Sequence, residues 1–213
     1  MKSFTGDLQG KYYSLAKLTE EEDKQLTEDN FLFKIGDRFQ EACGINRDFP
    51  EARGVFHNKS KNLLVWVNDE DQLKVISMEE GCDFHAVFTR LSKACGKIQE
   101  HAEFAHSPHL GYITTRPSTL GTGLRVSILI RLPRLEEHRK EFRAITERYS
   151  ISFRAVIVSS GQPHDNLYEL SNRKRLGASE VELVQDMYDA VKELIALERN
   201  LSRPPDTPCG RHL

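Results

Sequence analysis

The sequence predicts an α+β fold in which an antiparallel β-sheet is flanked by helices. Three strand patterns stand close together between residues 54 and 78, and helical periodicities occupy 84–102, 135–149 and 179–201. Further strand patterns separate these helices. Elements in this order pack most simply with the helices covering a sheet.

Composition narrows the class of protein before any motif is considered. The 213 residues are 38% hydrophobic and 29% charged, which is typical of a globular domain with a sizeable core. The net charge of −2 does not indicate a nucleic-acid-binding surface. Apolar runs fall short of the ~20 residues that span a bilayer, and no signal peptide is recognisable. We therefore expect a cytoplasmic protein that binds neither nucleic acid nor membrane.

The cysteine pattern agrees with that compartment. The four cysteines are scattered and form no CxxC pair, which favours free thiols in a reducing environment. They are Cys43, Cys82, Cys95 and Cys209.

The first half of the chain predicts a short helical lead-in followed by a meander. Thr19 is a suitable N-cap before three glutamates, so a helix is expected from Thr19 to Glu28. A second helical piece is expected at 36–42. Short polar turns join the strands that follow, which predicts an antiparallel meander. Its strands are 54–58, 63–67 and 73–78.

The second half alternates strands and helices. A Ser-x-x-Glu pattern at Ser179 opens the last helix. Residues 1–202 are expected to form one domain, and the proline-containing segment 203–213 is expected to be a disordered tail. The predicted elements are helix 84–102, strands 110–115 and 124–132, helix 135–149, strand 151–158, a short strand 167–170 and helix 179–201.

An acidic turn, Asn68 to Asp71, is the first candidate for chemistry. Glu70 lies in it, just after the strand that contains Trp66. A solvated turn is the commoner meaning of such a pattern. The alternative is a carboxylate site, in which Glu70 holds a guanidinium by paired hydrogen bonds or acts as a general base.

Two arginines are candidates for binding an anion. Arg125 ends a loop of glycines and hydroxyl residues at 117–125, where backbone N–H groups can approach a negative charge. Arg154 lies in an apolar strand and needs either an anionic partner or an edge position facing water. The nearby histidines at 101, 106 and 109 fit no standard metal-ligand spacing, and the basic run 173–175 is typical of a solvated turn.

Seven segments taken together resemble the catalytic domain of phosphagen kinases, the ATP:guanidino phosphotransferases that include creatine and arginine kinases. The resemblance extends from about Leu8 to about Asn200. The residues of its motifs are more similar to those of creatine kinase than to those of arginine kinase. The segments are GKYYSL at 10–15, DNFLFK at 29–34, RDFPEARGVFHN at 47–58, LLVWVNDEDQLKVISMEEG at 63–81, HLGYI at 109–113, PSTLGTGLR at 117–125 and LSNRKRLGASEVELVQ at 170–185.

The resemblance implies a glutamine-synthetase-like guanidino kinase fold and a defined reaction. Such enzymes move the γ-phosphoryl of MgATP reversibly to a guanidino nitrogen, with Mg²⁺ held through the nucleotide rather than by a protein metal site. Arg125 and Arg154 match phosphate-binding arginines, and Lys74 replaces a third. Glu70 matches the glutamate that aligns the substrate. Fixed cations and alignment are what phosphoryl transfer requires.

The chain also departs from the family pattern. Arg116 replaces the reactive cysteine, and we expect its charge to oppose a cationic substrate. Our hypothesis is that Arg116 reaches Glu70 and mimics the substrate guanidinium. Gln72 and Leu129 stand where the family has histidines, and Ser159 stands where arginine kinases have a loop glutamate. The family's helical domain and an early catalytic-domain strand precede the region where this sequence starts.

These features leave two functional hypotheses. The first is a guanidino kinase with a creatine-like substrate, whose phosphotransfer is weak or lost in this chain because several transition-state contacts are replaced. The second is a degenerate pseudokinase that binds nucleotide or a full-length kinase partner. In either case we expect a dimer, with itself or with another phosphagen kinase, to be a candidate assembly.

Overall fold

A computed structural model describes residues 4–134, 137–157 and 163–201. Its contacts divide the chain into two compact units, Met1–Ala105 and His106–Leu213, and each is described by itself. The expected single domain 1–202 stays a prediction. The tail 203–213 lies outside the described residues.

The first unit contains a four-stranded antiparallel sheet in the order β1-β2-β3-β4. The predicted meander is confirmed as β2, β3 and β4. No strand was predicted before residue 54, yet the segment 10–14 joins the sheet as edge strand β1. The elements are β1 (Gly10–Ser14), α1 (Glu20–Glu28), α2 (Arg38–Ala42), β2 (Gly54–Asn58), β3 (Leu63–Val67), β4 (Leu73–Ser77) and α3 (Phe84–Gln99).

Both faces of this sheet are covered by apolar side chains, because neighbouring residues of a strand point to opposite faces. Phe56 and Val65 belong to a buried cluster with Ala94 of α3. Val55 and Leu64 belong to a second cluster, which includes Leu26 of α1 together with Phe31 and Phe33. The sheet is therefore sandwiched, as the α+β prediction requires.

Capping boxes fix the starts of the short helices. The Thr19 hydroxyl accepts from the Glu22 N–H at 3.2 Å, and the Glu22 carboxylate accepts from the Thr19 N–H at 3.3 Å. Asp37 and Gln40 form the same arrangement at the start of α2. These reciprocal bonds satisfy N–H groups that the helix leaves free, so even the short α2 is defined.

The second unit contains a three-stranded antiparallel sheet in the order β7-β9-β8 and a small two-stranded ladder, β5-β6. A 3₁₀ turn at Pro117–Thr119 precedes β7. The elements are β5 (His106–Ser107), β6 (Gly111–Tyr112), β7 (Ser127–Arg131), α4 (Arg139–Arg148), β8 (Ile151–Ile157), β9 (Pro163–Asn172) and α5 (Glu180–Leu201).

Several predicted strands differ in length from the observed ones; the strand expected at 124–132, for example, is the five-residue β7. The strand expected at 110–115 pairs only over Gly111–Tyr112, because Gly111 has a φ of +71° and the chain bends there to meet Gly121. The short strand expected at 167–170 is the ten-residue central strand β9. Because β9 pairs with β7 on one side and β8 on the other, the strand extends beyond its apolar centre. The local pattern of apolar residues does not reveal this extension.

The helices of the second unit pack on one face of its sheet. Phe153 of β8 meets Phe142 of α4 edge to face, with ring centres 4.7 Å apart. Leu170 of β9 and Met187 of α5 are fully buried. The opposite face carries mostly polar side chains, and the candidate anion site lies there. None of the described helices is long and apolar enough to cross a membrane.

Candidate functional site

Strand register brings the candidate residues of the second unit into one row. Glu169 on the central strand β9 lies directly opposite Arg154 of β8 and, on its other side, opposite Leu129 of β7. Residues opposite one another in antiparallel strands share a face. Leu129, Glu169 and Arg154 therefore stand side by side on the face that α4 and α5 leave uncovered.

Glu169 joins the two predicted anion-binding arginines. One carboxylate oxygen, Oε1, accepts from Nη2 of Arg125, and the other, Oε2, lies 3.2 Å from Nε of Arg154. The Arg125 and Arg154 side chains are 45% and 66% exposed, whereas Glu169 is 24% exposed. The structure thus gathers both arginines around one carboxylate and leaves their guanidinium groups accessible.

The sequence left two alternatives for Arg154, an anionic partner or an edge strand facing water, and the structure shows both. The residue lies on an edge strand of the described sheet and faces water, and it also has an anionic partner in Glu169. Glu169 was not predicted as a site residue from the sequence. Its only signal was a single carboxylate within the otherwise apolar and aromatic segment 167–170.

Two other segments hold the loop 117–125 in place. The Tyr112 N–H donates to the Gly121 carbonyl at 2.7 Å, and the Thr122 N–H donates to the Arg175 carbonyl at 2.8 Å. Gly121 is buried with a φ of +107°, and a Cβ there would overlap the backbone of Arg175. Glycine is therefore required at this position for close backbone approach.

Asn172 fixes the backbone on both sides of Arg125. Its amide is nearly fully buried, and Nδ2 donates to the Leu124 carbonyl at 3.2 Å and to the Lys174 carbonyl at 2.7 Å. Its Oδ1 accepts from the Val126 N–H at 2.9 Å. The backbone position of Arg125 is thus set by buried hydrogen bonds.

Arg175 belongs to the basic run 173–175, which was predicted to be a solvated turn, and for this residue the prediction is wrong. It is half-buried, and its Nη1 donates to the carbonyls of Asn172 and Arg173. Its Nε is buried without a hydrogen-bond partner among the described residues. Burial, together with the charge of nearby Arg125, lowers the pKa of Arg175. A further guanidinium thus lies within electrostatic reach of the site.

The substituted positions of the second unit are partly described. Arg116 has an exposed side chain, and its carbonyl accepts from the hydroxyls of Thr114 at 2.9 Å and Thr119 at 2.8 Å. Leu129 is 62% exposed. Ser159 lies outside the described residues. The hypothesis that Arg116 reaches Glu70 joins residues of the two units and stays a prediction.

In the first unit, the acidic turn is partly buried rather than fully solvated. Asn68 closes the turn through its N–H, which donates to the Gln72 carbonyl at 3.0 Å. Burial raises the pKa of Asp69, whereas a hydrogen bond from the Glu70 backbone and the positive charge of Lys74 act in the opposite direction. Glu70 is half-buried, whereas Gln72 is exposed. The turn therefore presents carboxylates in a sheltered position, which suits binding of a cation.

Lys74 lies over the indole of Trp66, its neighbour across β3 and β4, with Nζ 4.5 Å from the ring centre. The indole is itself fixed, since its Nε1–H donates to the Phe31 carbonyl at 2.8 Å. A cation on an aromatic face is held by the ring quadrupole. Lys74 is thus an exposed cation with a defined resting position next to the acidic turn.

Replacing Lys74 by methionine should destabilise the first unit by about 0.5–1 kcal/mol, because an exposed cation–π contact is lost. Trp66 is the single tryptophan, so its fluorescence in a urea titration reports this unit specifically. Lys93→Met, at an exposed position of α3, should change the free energy of unfolding by less than about 0.5 kcal/mol. Equal effects of the two changes would contradict the contact.

Histidines and acids do not assemble a metal centre in the part of the chain that the structure describes. No group of three or more His, Cys, Asp or Glu side chains there could hold a metal ion. His106 instead packs against Tyr112, with ring centres 5.0 Å apart.

The second unit of this α+β protein presents two guanidinium groups on an uncovered sheet face, an arrangement that can bind an anion. Arginine forks match the oxygens of phosphate or carboxylate groups. Comparison with known sequences specifies the family. The profile of the ATP:guanido phosphotransferase C-terminal catalytic domain matches residues 1–201, and the chain belongs to this family.

Its curated relatives include arginine kinases. The arginine kinase of Anthopleura japonica is 48% identical over 203 residues, which cover 93% of this chain and 28% of that protein. The arginine kinase of Liolophura japonica is 41% identical over 199 residues, covering 93% of this chain and 57% of the relative. The chain thus spans between about a quarter and somewhat over half of the length of these relatives.

Solved structures of the family share the fold. The substrate-free duplicated taurocyamine kinase of Schistosoma mansoni superposes with a TM-score of 0.86 at 39% identity, covering 93% of this chain and 27% of that chain. A lombricine kinase superposes with a TM-score of 0.85 at 39% identity, covering 93% of this chain and 56% of that one. The resemblance to phosphagen kinases and the α+β fold class are therefore confirmed. The narrower likeness to creatine kinase stays a prediction.

Proposed function

We propose that this chain binds the phosphates of MgATP or MgADP at Arg125 and Arg154 and serves γ-phosphoryl transfer to a guanidino compound. The observation that supports this most is the convergence of both arginines on an accessible sheet face. Two guanidinium groups that share one acceptor are spaced for oxygens of the same phosphate group.

Each residue has a separate part in the proposed reaction. The arginines stabilise the charge on the transferred group, and Mg²⁺, bound through the nucleotide, neutralises the adjacent phosphate oxygens. In the first unit, Lys74 contributes a further cation toward nucleotide, and Glu70 aligns the guanidinium. No covalent intermediate with the protein is needed, because positioning and fixed charges supply the catalysis.

We expect this phosphotransfer to be weak or absent in the chain by itself. Lys74 offers a single ammonium in place of an arginine fork. Leu129 presents an apolar side chain next to Glu169, where a nitrogen donor would contact phosphate. Arg116 adds a positive charge that opposes a cationic substrate. Each lost contact in a transition state commonly costs orders of magnitude in rate.

The alternative is a cytoplasmic pseudokinase that binds nucleotide or a second phosphagen kinase without turnover. The exposed Leu129 favours it, because an apolar side chain beside two arginines permits anion binding but adds no stabilising contact. Its partner would be another copy of this chain or a complete kinase. Two guanidino substrates should be tested. Arginine is chosen because the relatives are named arginine kinases, and creatine because the sequence motifs resemble those of creatine kinase.

The test is calorimetric binding of MgADP to the full chain, followed by assays of phosphotransfer to arginine and creatine. Arg154→Ala should weaken MgADP binding about tenfold, the effect of one charge-assisted hydrogen bond. Arg148→Ala is the matched control, since Arg148 is similarly exposed and pairs with Glu193 at 2.9 Å in the same unit.

The outcomes separate the two functions. Binding with phosphotransfer supports the kinase, and binding without phosphotransfer supports the pseudokinase. If MgADP does not bind, or if Arg148→Ala weakens binding as much as Arg154→Ala does, the proposed nucleotide site is wrong.

A further inference from the structure

The carboxylate of Glu169 lies between Arg125 and Arg154, the two arginines of the proposed phosphate site. It gives one oxygen to Arg125 and the other to Arg154, so it bridges the two guanidinium groups as two phosphate oxygens would. An incoming anion therefore meets arginines that are already paired.

The structure holds the Glu169 carboxylate at a position where it competes with phosphate for the two arginines. It lies on the central strand, directly across from Arg154, and its side chain is less exposed than either arginine. Two residues further along the same face, the Ser171 and Ser152 hydroxyls are 2.9 Å apart, which ties β9 to β8 next to the site. Since strand pairing fixes the backbone, the carboxylate stays close to any anion bound there.

We propose that Glu169 is the residue that limits the affinity of this site for phosphate groups. This inference rests on the proposed function, in which Arg125 and Arg154 receive the nucleotide phosphates. Glu169 competes with phosphate for the same N–H donors and repels the negative charge that remains on the ligand.

Two opposing effects decide what neutralising Glu169 would do. Loss of the ion pairs could let the arginines move apart, but exposed ion pairs contribute little to holding side chains in place. Asn172 and the Gly121 contacts hold the backbone of the Arg125 loop independently of Glu169. Removal of the carboxylate relieves repulsion with each negative charge of a polyphosphate. Binding should therefore become tighter.

The test compares Glu169→Gln with the unmodified full chain by calorimetric titration with inorganic pyrophosphate at low ionic strength. Glutamine keeps the size of the side chain and one acceptor oxygen. The dissociation constant should fall about fivefold, the upper range for one exposed charge. Glu193→Gln is the matched control, because Glu193 is another arginine-paired carboxylate of the same unit. That control should leave pyrophosphate binding unchanged.

Unchanged or weaker binding by a folded Glu169→Gln protein would overturn the inference, as would an equal gain in Glu193→Gln. The same Glu169→Gln change should also be made in the Arg154→Ala protein. There it should tighten pyrophosphate binding by less than it does in the unmodified chain, and an equal tightening would show that the arginine pair is not involved. If Glu169→Gln tightens pyrophosphate binding but neither protein binds MgADP, the inference stands and the proposed nucleotide function fails.

Discussion

Gly121→Ala should lower the free energy of unfolding of the second unit by about 3 kcal/mol or more, the size expected when a buried close contact cannot relax. A methyl group at this position would overlap the carbonyl oxygen of Arg175, which is backbone and cannot rotate away. The φ of +107° adds strain for any side chain. Because the loop carries Arg125, pyrophosphate binding should be lost together with stability.

Gly177→Ala is the control that separates the backbone strain of a positive φ from the steric overlap of an added Cβ. Gly177 also has a positive φ, of +79°, but apart from its two neighbours in the chain no residue has an atom within 4 Å of the position its Cβ would take. It should cost only about 1 kcal/mol and leave pyrophosphate binding intact. Urea denaturation followed by far-ultraviolet circular dichroism measures both changes. Equal losses in the two variants would show that the approach of Gly121 to Arg175 does not matter.

Asn58→Ala is expected to destabilise the first unit by about 3 kcal/mol, because several buried backbone groups lose their partners at once. The Asn58 side chain is 1% exposed and organises the turn between β2 and β3. Its Oδ1 accepts from the N–H groups of Asn62 at 3.0 Å and Leu63 at 2.9 Å. Its Nδ2 donates to the Asp7 carbonyl at 2.9 Å and to Asn62 Oδ1 at 2.7 Å.

The urea midpoint reported by Trp66 fluorescence measures this loss. Asn200→Ala, at an exposed position of α5, should have almost no effect on it, since alanine suits a helix surface. Asn58→Asp keeps the acceptor oxygens but loses the two donations and buries a charge, so it should also destabilise strongly. A loss below about 1 kcal/mol for Asn58→Ala would mean that water replaces the amide, contrary to its burial.

Local signals in the sequence were sufficient for much of the fold. The meander of the first unit was predictable because β-branched and aromatic residues are concentrated between short polar turns. The final helix was predictable from its apolar periodicity and from Ser179, whose hydroxyl and backbone bind Glu182 as the pattern requires.

The parts that could not be predicted depend on long-range pairing. Nothing near Glu169 in the chain indicates that it meets Arg125 and Arg154, since the register of three strands decides it. Arg175 looked solvated because its neighbours are basic, yet contacts with the loop around Gly121 bury it. The acidic turn was located correctly, but its partial burial follows from packing that local sequence does not encode.

The hydrogen bonds of Asn172 and the close backbone contact of Gly121 have a consequence for the thermodynamics of ligand binding. A flexible loop that becomes ordered on ligand binding loses conformational entropy, and this loss weakens binding. Here the backbone around Arg125 is already fixed by buried bonds in the free protein. Association of an anion should therefore carry little conformational entropy cost from this loop, leaving charge and desolvation to determine its strength.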